Sequence, residues 1–302
     1  MTDQPLAKAT RSQILLAFAA VYIIWGSTYL AILFAIETLP PFLMLGTRFF
    51  VAGSVMYVWL RARGAPKPTT IHWRSAAILG ILMPVLGTGV VTWSEQLVPS
   101  GIASLLVAVV PLWIVLLQWV RPGGQRPAVA VIAGVLIGLL GLYLLLDPGS
   151  DTQHGNLFAE GIVLLAALSW AIGSLYSKSA PMPKMQFVGT GMEMLVAGVV
   201  LIVGGLLTGE ASHFSLAATS AKSWFALLYL ITFGSIIAYT AYVWLLSTVA
   251  PTLVSTYAFV NPIVAVLLGW AFAHEPINTR TILAAGIIVG AVALITVGQR
   301  DE

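Results

Sequence analysis

The chain has 302 residues, 59% hydrophobic and only 8% charged, with a formal net charge of +3 and a mean hydropathy of +0.96. A soluble domain carries roughly a quarter charged residues, so this composition excludes an ordinary water-soluble fold and points to an all-α membrane protein. There is no cysteine, which excludes disulfides and thiolate metal sites.

Crossing ~30 Å of hydrocarbon by helix takes ~20 residues. Apolar runs of that length predict helices over 14–36, 42–60, 75–94, 102–120 and 128–146, then over 157–177, 187–207, 223–247, 252–273 and 281–297. The first run follows Lys8 and Arg11 as a signal peptide's core would. It is longer than such a core and runs into Glu37-Thr-Leu-Pro-Pro without a small-residue cleavage site, so it is expected to be retained. The loops are short and leave no room for a soluble domain. With the N-terminus inside, eleven of the fourteen Lys and Arg fall in inner segments and only Lys222 and Arg280 in outer ones, while Arg48 lies within a span. Basic residues favour the cytoplasmic side, so both termini are expected there. The net positive charge reflects that distribution and is no sign of nucleic-acid binding.

The ten runs divide into two sets of five that repeat each other. Trp25, Phe42 and Val51-Ala52-Gly53 return 145 residues later as Trp170, Phe187 and Val196-Ala197-Gly198. Trp93 and Pro111-xxx-Val-Leu-Leu-x-Trp119 return at an offset of 151 as Trp244 and Pro262-xxx-Val-Leu-Leu-x-Trp270. Six of the ten tryptophans fall into matched pairs, which chance placement of so rare a residue does not produce. An odd number of spans per unit places the two units, 12–147 and 155–298, in opposite orientations. Two inverted five-helix repeats are an architecture of secondary transporters.

Three constellations could carry chemistry. Arg48 and Glu193 lie about seven residues inside their runs from opposite faces, roughly 10 Å deep at ~1.5 Å per residue. Charges there normally face a protein interior or cavity. They read either as a substrate or coupling-ion site or as interhelical anchors. Pro111 and Pro262 sit at matched positions, and a proline within a helix frees the carbonyl four residues earlier. They read as hinge or kink, with Asn261 placed to hydrogen-bond beside the second. Trp25, Ser27, Thr88, Trp93, Trp170, Tyr239, Tyr242 and Tyr257 form the third set. Trp25, Tyr239 and Tyr257 lie mid-span, where interface anchoring does not explain them. Their N–H and O–H groups need partners, which a hydrated cavity or the packing of neighbouring helices would supply. The glycine pairs Gly134-xxx-Gly138 and Gly286-xxx-Gly290, at offset 152, read as close-packing or dimer-contact faces of spans five and ten.

No phosphate-binding glycine loop precedes any lysine, and the four histidines (72, 154, 213 and 274) lie in loops or at membrane edges. No catalytic residue, cofactor or metal is therefore expected, and the chain is not expected to be an enzyme.

Trp25-Gly26-Ser27-Thr28-Tyr29, Arg48-Phe49, Gly101-Ile-Ala-Ser-Leu leading to Pro111, and His274-Glu275-Pro276 before Gly286 and Gly290 resemble the drug/metabolite transporter superfamily, specifically its EamA-like members, over about residues 12–298. The family form of the last motif usually has glycine where His274 stands, which puts the turn there in question. The resemblance implies a bacterial inner-membrane exporter of amino acids or related small amphipathic metabolites, working by alternating access around a midplane cavity. It implies that Trp25, Ser27, Thr88, Trp93, Trp170, Tyr239 and Asn261 face that cavity, with spans five and ten peripheral. The expected partners are a small-molecule substrate and the lipid bilayer, with the chain monomeric or homodimeric through spans five and ten. A passive channel or non-transporting scaffold is the alternative.

Overall fold

In hydrocarbon every peptide group must find its hydrogen bond within the chain, so apolar runs of this length fold as helices. The computed structural model describes residues 10–120, 127–146, 156–249, 254 and 257–298, and all regular structure among them is helical. In chain order the helices are α1 (Arg11–Ile36), α2 (Pro41–Ala62), α3 (Thr70–Ser94), α4 (Ser100–Val120), α5 (Val129–Leu146), α6 (Leu157–Ser177) and α7 (Gln186–Leu207). The single turn α8 (Glu210–His213) follows. Then come α9, built from Ala221–Tyr229, Leu230–Ala238 and Tyr239–Thr248, α10 (Tyr257–Ala273) and α11 (Thr279–Gly298). Seven of these, α1 to α4, α6, α7 and α9, are long and apolar enough to cross a membrane. The runs expected at 128–146, 252–273 and 281–297 are helical over their described residues, with the shorter apolar stretches Val129–Gly141, Val260–Ala273 and Thr279–Ile295.

Helix starts follow local chemistry. Thr10 and Gln13 close a capping box, Asn156 accepts from Phe158 N, Ser220 accepts from Ser223 N, and Pro41 sits at the first position of α2.

Two helix pairs define the interior. α2 and α7 lie antiparallel at a separation that only glycine permits. A Cβ on Gly46 would stand 2.8 Å from Ile202 N, one on Gly53 2.7 Å from Leu195 N, and one on Gly198 2.5 Å from Phe50 N. Between lipid-facing helices there is no hydrophobic drive, so association rests on such close backbone approach. α5 and α11 pair in the same antiparallel sense, with Gly134 against Ala291 O (2.9 Å) and Gly141 against Ile287 and Ile288. Of the two glycine pairs expected to pack, the first does so among the described residues, whereas a Cβ built on Gly286 or Gly290 would meet no described atom within 4 Å.

The segments expected outside meet one another. Glu210 accepts from Phe42 N (3.1 Å) and Leu43 N (2.8 Å), Lys222 pairs with Glu37 (2.5 Å), and Asn156 N donates to Leu97 O (3.4 Å). Ala65 and Met182, from segments expected inside, share a separate cluster with Val188 at the inner end of α7.

Three features depart from plain helix. The runs Ala20–Trp25, Ile81–Gly89 and Leu230–Ala238 are π-helical, a widening that concentrates at functional sites. The last two begin 149 residues apart, close to the repeat offset. Pro84, which has no proline mate, lies inside one of them. Second, Pro111 does not kink a continuous helix. α4 breaks into Ser100–Val107 and Val110–Val120, and Pro111 falls in the first turn of the second piece, where its missing N–H costs nothing. Pro262, by contrast, lies inside α10. Third, His274 takes φ 55°, the left-handed region a glycine would occupy, so the turn keeps the glycine-type backbone despite the substitution. His274→Gly is expected to raise stability by about 0.5–1 kcal/mol, measured as a higher Tm in detergent.

Candidate functional site

The π-helical stretch of α1 ends at Trp25, and its indole Nε1 donates to the carbonyl of Gly234 in the π-helical stretch of α9 (3.2 Å). Around the indole stand Tyr242 (ring centroids 4.9 Å), Tyr257 (5.3 Å) and Tyr239 (6.0 Å). All four rings are half-buried, so the cluster retains accessible surface. Helices α1, α9 and α10 thus converge on one tryptophan. Gly26, the next residue, lets α1 close on α10: a Cβ there would lie 2.6 Å from Val264 Cβ and 3.3 Å from Asn261 O.

Asn261 is buried beside Pro262. With its amide turned to donate, the side-chain nitrogen reaches the carbonyls of Tyr257 (3.3 Å) and Tyr22 (3.2 Å). The Tyr22 contact ties α10 to α1, and the Tyr257 contact lies one turn before the proline within α10.

Arg48 and Glu193 do not bond to each other. Both bond to α9, four residues apart: Arg48 Nε donates to Ser235 Oγ (2.9 Å), and Tyr239 O–H donates to Glu193 Oε2 (3.4 Å). Arg48 is 5% exposed and its Nη1 has no partner. Gly234 makes room for it, since a Cβ there would stand 3.1 Å from Arg48 Nη2 and from Thr28 Cγ2. The Gly234-Ser235 step therefore receives both the Trp25 indole and the Arg48 guanidinium.

The remaining expected residues are spread wider. Ser27 pairs with Tyr229 O–H (2.7 Å), a contact of α1 with the start of α9. Trp93 packs against the cluster around Leu105 and Ala166, whereas Trp170 packs near Val110 and lies against Gly87. Thr88 sits half-buried in the π-helical stretch of α3. The structure thus gathers Trp25, Tyr239, Tyr242, Tyr257 and Asn261 into one cluster, joins Arg48 and Glu193 to it through α9, and leaves Ser27, Trp93 and Trp170 in other contacts.

The sequence alone gives two further acids, Glu95 and Glu275, no place among the site residues. Glu95, one residue past α3, is 3% exposed with neither carboxylate oxygen hydrogen-bonded. It lies within electrostatic reach of Arg48, Glu275 and Tyr29. Glu275 closes the N-terminus of α4, accepting from Ser100 N (2.8 Å), Ser100 Oγ (2.7 Å) and Gly101 N (3.1 Å). The Gly101-Ile-Ala-Ser and His-Glu-Pro segments were visible as motifs, but nothing along the chain says that they touch. Among the described residues, no three His, Asp or Glu side chains converge as metal ligands do.

Arranged in this way, the site can take an organic solute on half-buried ring faces and hydroxyls, with one fixed cation for a negative group. Comparison with known proteins agrees in kind. The EamA-like transporter family model matches residues 11–147 and again 157–297. The inner membrane transporter YedA of Escherichia coli (strain K12) is 40% identical over 284 residues, covering 94% of this chain and 90% of that protein. The transporter YoaV of Bacillus subtilis (strain 168) is 26% identical over 94% of this chain and 97% of its own length. A solved crystal structure superposes with a TM-score of 0.64 at 22% identity, covering 97% of this chain and 100% of that one, a likeness of fold.

Proposed function

Because the chain belongs to the EamA-like transporter family, we propose that it is a secondary transporter exporting amino acids or related small amphipathic metabolites by alternating access. The observation that carries the reading is the Trp25 cluster. A first-half helix, α1, meets two second-half helices, α9 and α10, on half-buried aromatic rings, and the buried cation Arg48 reaches the same step of α9. One cation suits a single carboxylate better than the several charges of a phosphorylated or nucleotide-linked sugar.

Ten spans as two inverted repeats, 12–147 and 155–298, are the frame we infer. The α2–α7 contact supports it. Gly46 meets Ile202 and Gly198, while Gly191 meets Tyr57 and Gly53. Each partner in the first set lies 145 residues from its counterpart in the second. A reciprocal contact of this kind is what a two-fold axis produces. Because the helices run antiparallel, that axis lies in the membrane plane, as inverted topology requires. The distribution of Lys and Arg supports cytoplasmic termini in a bacterial inner membrane.

The test is flux in reconstituted vesicles, with a radiolabelled L-amino-acid mixture inside and unlabelled amino acids outside. Unlabelled solute on the far side should accelerate efflux, as in a carrier; a pore or a scaffold would not respond. Asn261→Ala is expected to reduce the rate about tenfold, the effect of losing ~1.4 kcal/mol, with the protein still folded. An undiminished rate would remove Asn261 from the site.

A further inference from the structure

A secondary transporter needs a driving force, and assigning an ion to that role rests on the transporter reading. Four acids are buried or placed at helix ends in ways that differ. Glu275 and Glu210 spend their oxygens on the backbone N–H groups that open α4 and α2. Glu193 accepts from Tyr239. Glu160, with no partner, lies in the first turn of α6, where the helix N-terminus favours negative charge.

Glu95 has none of these compensations. It is 3% exposed, both oxygens lack hydrogen bonds, and it lies past the C-terminal end of α3, where the helix dipole disfavours an anion. The groups facing it come from three elements: Arg48 of α2, Tyr29 of α1, and Glu275 of the turn between α10 and α11. An unpaired carboxylate held away from water is relieved by taking a proton. Arg48 is buried too, with Nη1 unpartnered.

We propose that Glu95 is the proton-binding group that couples substrate movement to a proton gradient, with Arg48 as the internal cation that holds its deprotonated form. The step is a simple binding equilibrium. A proton from water on the outer side joins a Glu95 carboxylate oxygen and gives the neutral acid. After the two halves rock, the same proton leaves to the inner water and the carboxylate is left facing Arg48. Glu275 belongs to the second half and Arg48 to the first, so relative motion of the halves changes the balance of repulsion and attraction at Glu95, and with it the proton affinity. In the state described here burial, then Glu275, raise the Glu95 carboxyl well above the ordinary carboxylate range, against the lowering pull of Arg48.

The experiment uses the full chain in vesicles, a radiolabelled L-amino-acid mixture, and an imposed pH gradient of either sign. The measured quantity is the ratio of flux with the gradient to flux without it. The wild type is expected to give a ratio of several-fold that inverts with the gradient, and Glu95→Gln a ratio of one. A wild-type ratio of one with substrate still moving, or a Glu95→Gln ratio equal to wild type, overturns the proposal. If Glu95→Gln moves nothing or does not fold, Glu95→Asp decides: a displaced pH midpoint of transport supports the assignment and an unmoved one overturns it. Absence of amino-acid movement in the wild type under every condition removes the amino-acid export reading on which the assignment rests, which separates the two failures.

Discussion

Arg48→Ala is expected to lower substrate flux between about tenfold and a hundredfold, because a hydrogen bond to a charged group is worth ~1.5–3 kcal/mol. The guanidinium holds Ser235 of α9 at 2.9 Å and is the sole buried cation among the described residues. Removing it takes away the positive charge available to a substrate carboxylate and leaves Ser235 without its donor. It also strips Glu95 of the attraction of the guanidinium. Arg48→Ala should therefore destabilise the fold as well as slow transport. Adding Glu95→Gln should return part of that loss, since the buried acid no longer needs a counter-charge. A double-mutant cycle on Tm and on denaturant midpoint is expected to give a coupling of about 0.5–3 kcal/mol. Strict additivity would mean that the two residues do not sense each other.

The second large effect lies far from any polar group. Gly198→Leu is expected to abolish the folded protein, with loss of the monodisperse peak on size-exclusion chromatography in detergent, and Gly198→Ala to cost about 1–3 kcal/mol or more. A Cβ at Gly198 meets Phe50 N at 2.5 Å and Phe50 Cα at 2.7 Å. Those are backbone atoms of the facing helix, which cannot swing aside as a side chain can. The control is on the same helix. Gly204 has no atom within 4 Å of its virtual Cβ, so Gly204→Ala is expected to be neutral or to stabilise by about 0.5–1 kcal/mol. Equal behaviour of the two alanine variants would show that the α2–α7 approach does not hold the fold.

Helix placement was legible along the chain because hydrocarbon thickness sets span length and because backbone polar groups leave lipid-facing chain no alternative. The aromatic cluster was partly legible. Trp25, Tyr239 and Tyr257 stood out as rings in mid-membrane where interface anchoring does not explain them, and the structure puts them in contact. Glu95 was not legible. Its position one residue beyond an apolar run reads as an exposed acid at the water interface, yet it is buried within electrostatic reach of Arg48, Tyr29 and Glu275, which are distant in sequence. The prolines at matched positions differ in setting, which the sequence does not show: Pro111 follows an interruption of α4, whereas Pro262 is carried inside α10.

Membrane residence, the helical class and the echo of one half in the other follow from the order of residues alone, because they depend on how much apolar length each segment offers and on chemical types that recur at a constant offset. Which charges are buried, what each one faces and where a helix widens or breaks depend on contacts between segments far apart in the chain, such as Trp25 with Gly234, 209 residues on. Burial and electrostatics are properties of three-dimensional neighbourhoods, so a carboxylate's surroundings exist only once the helices have packed.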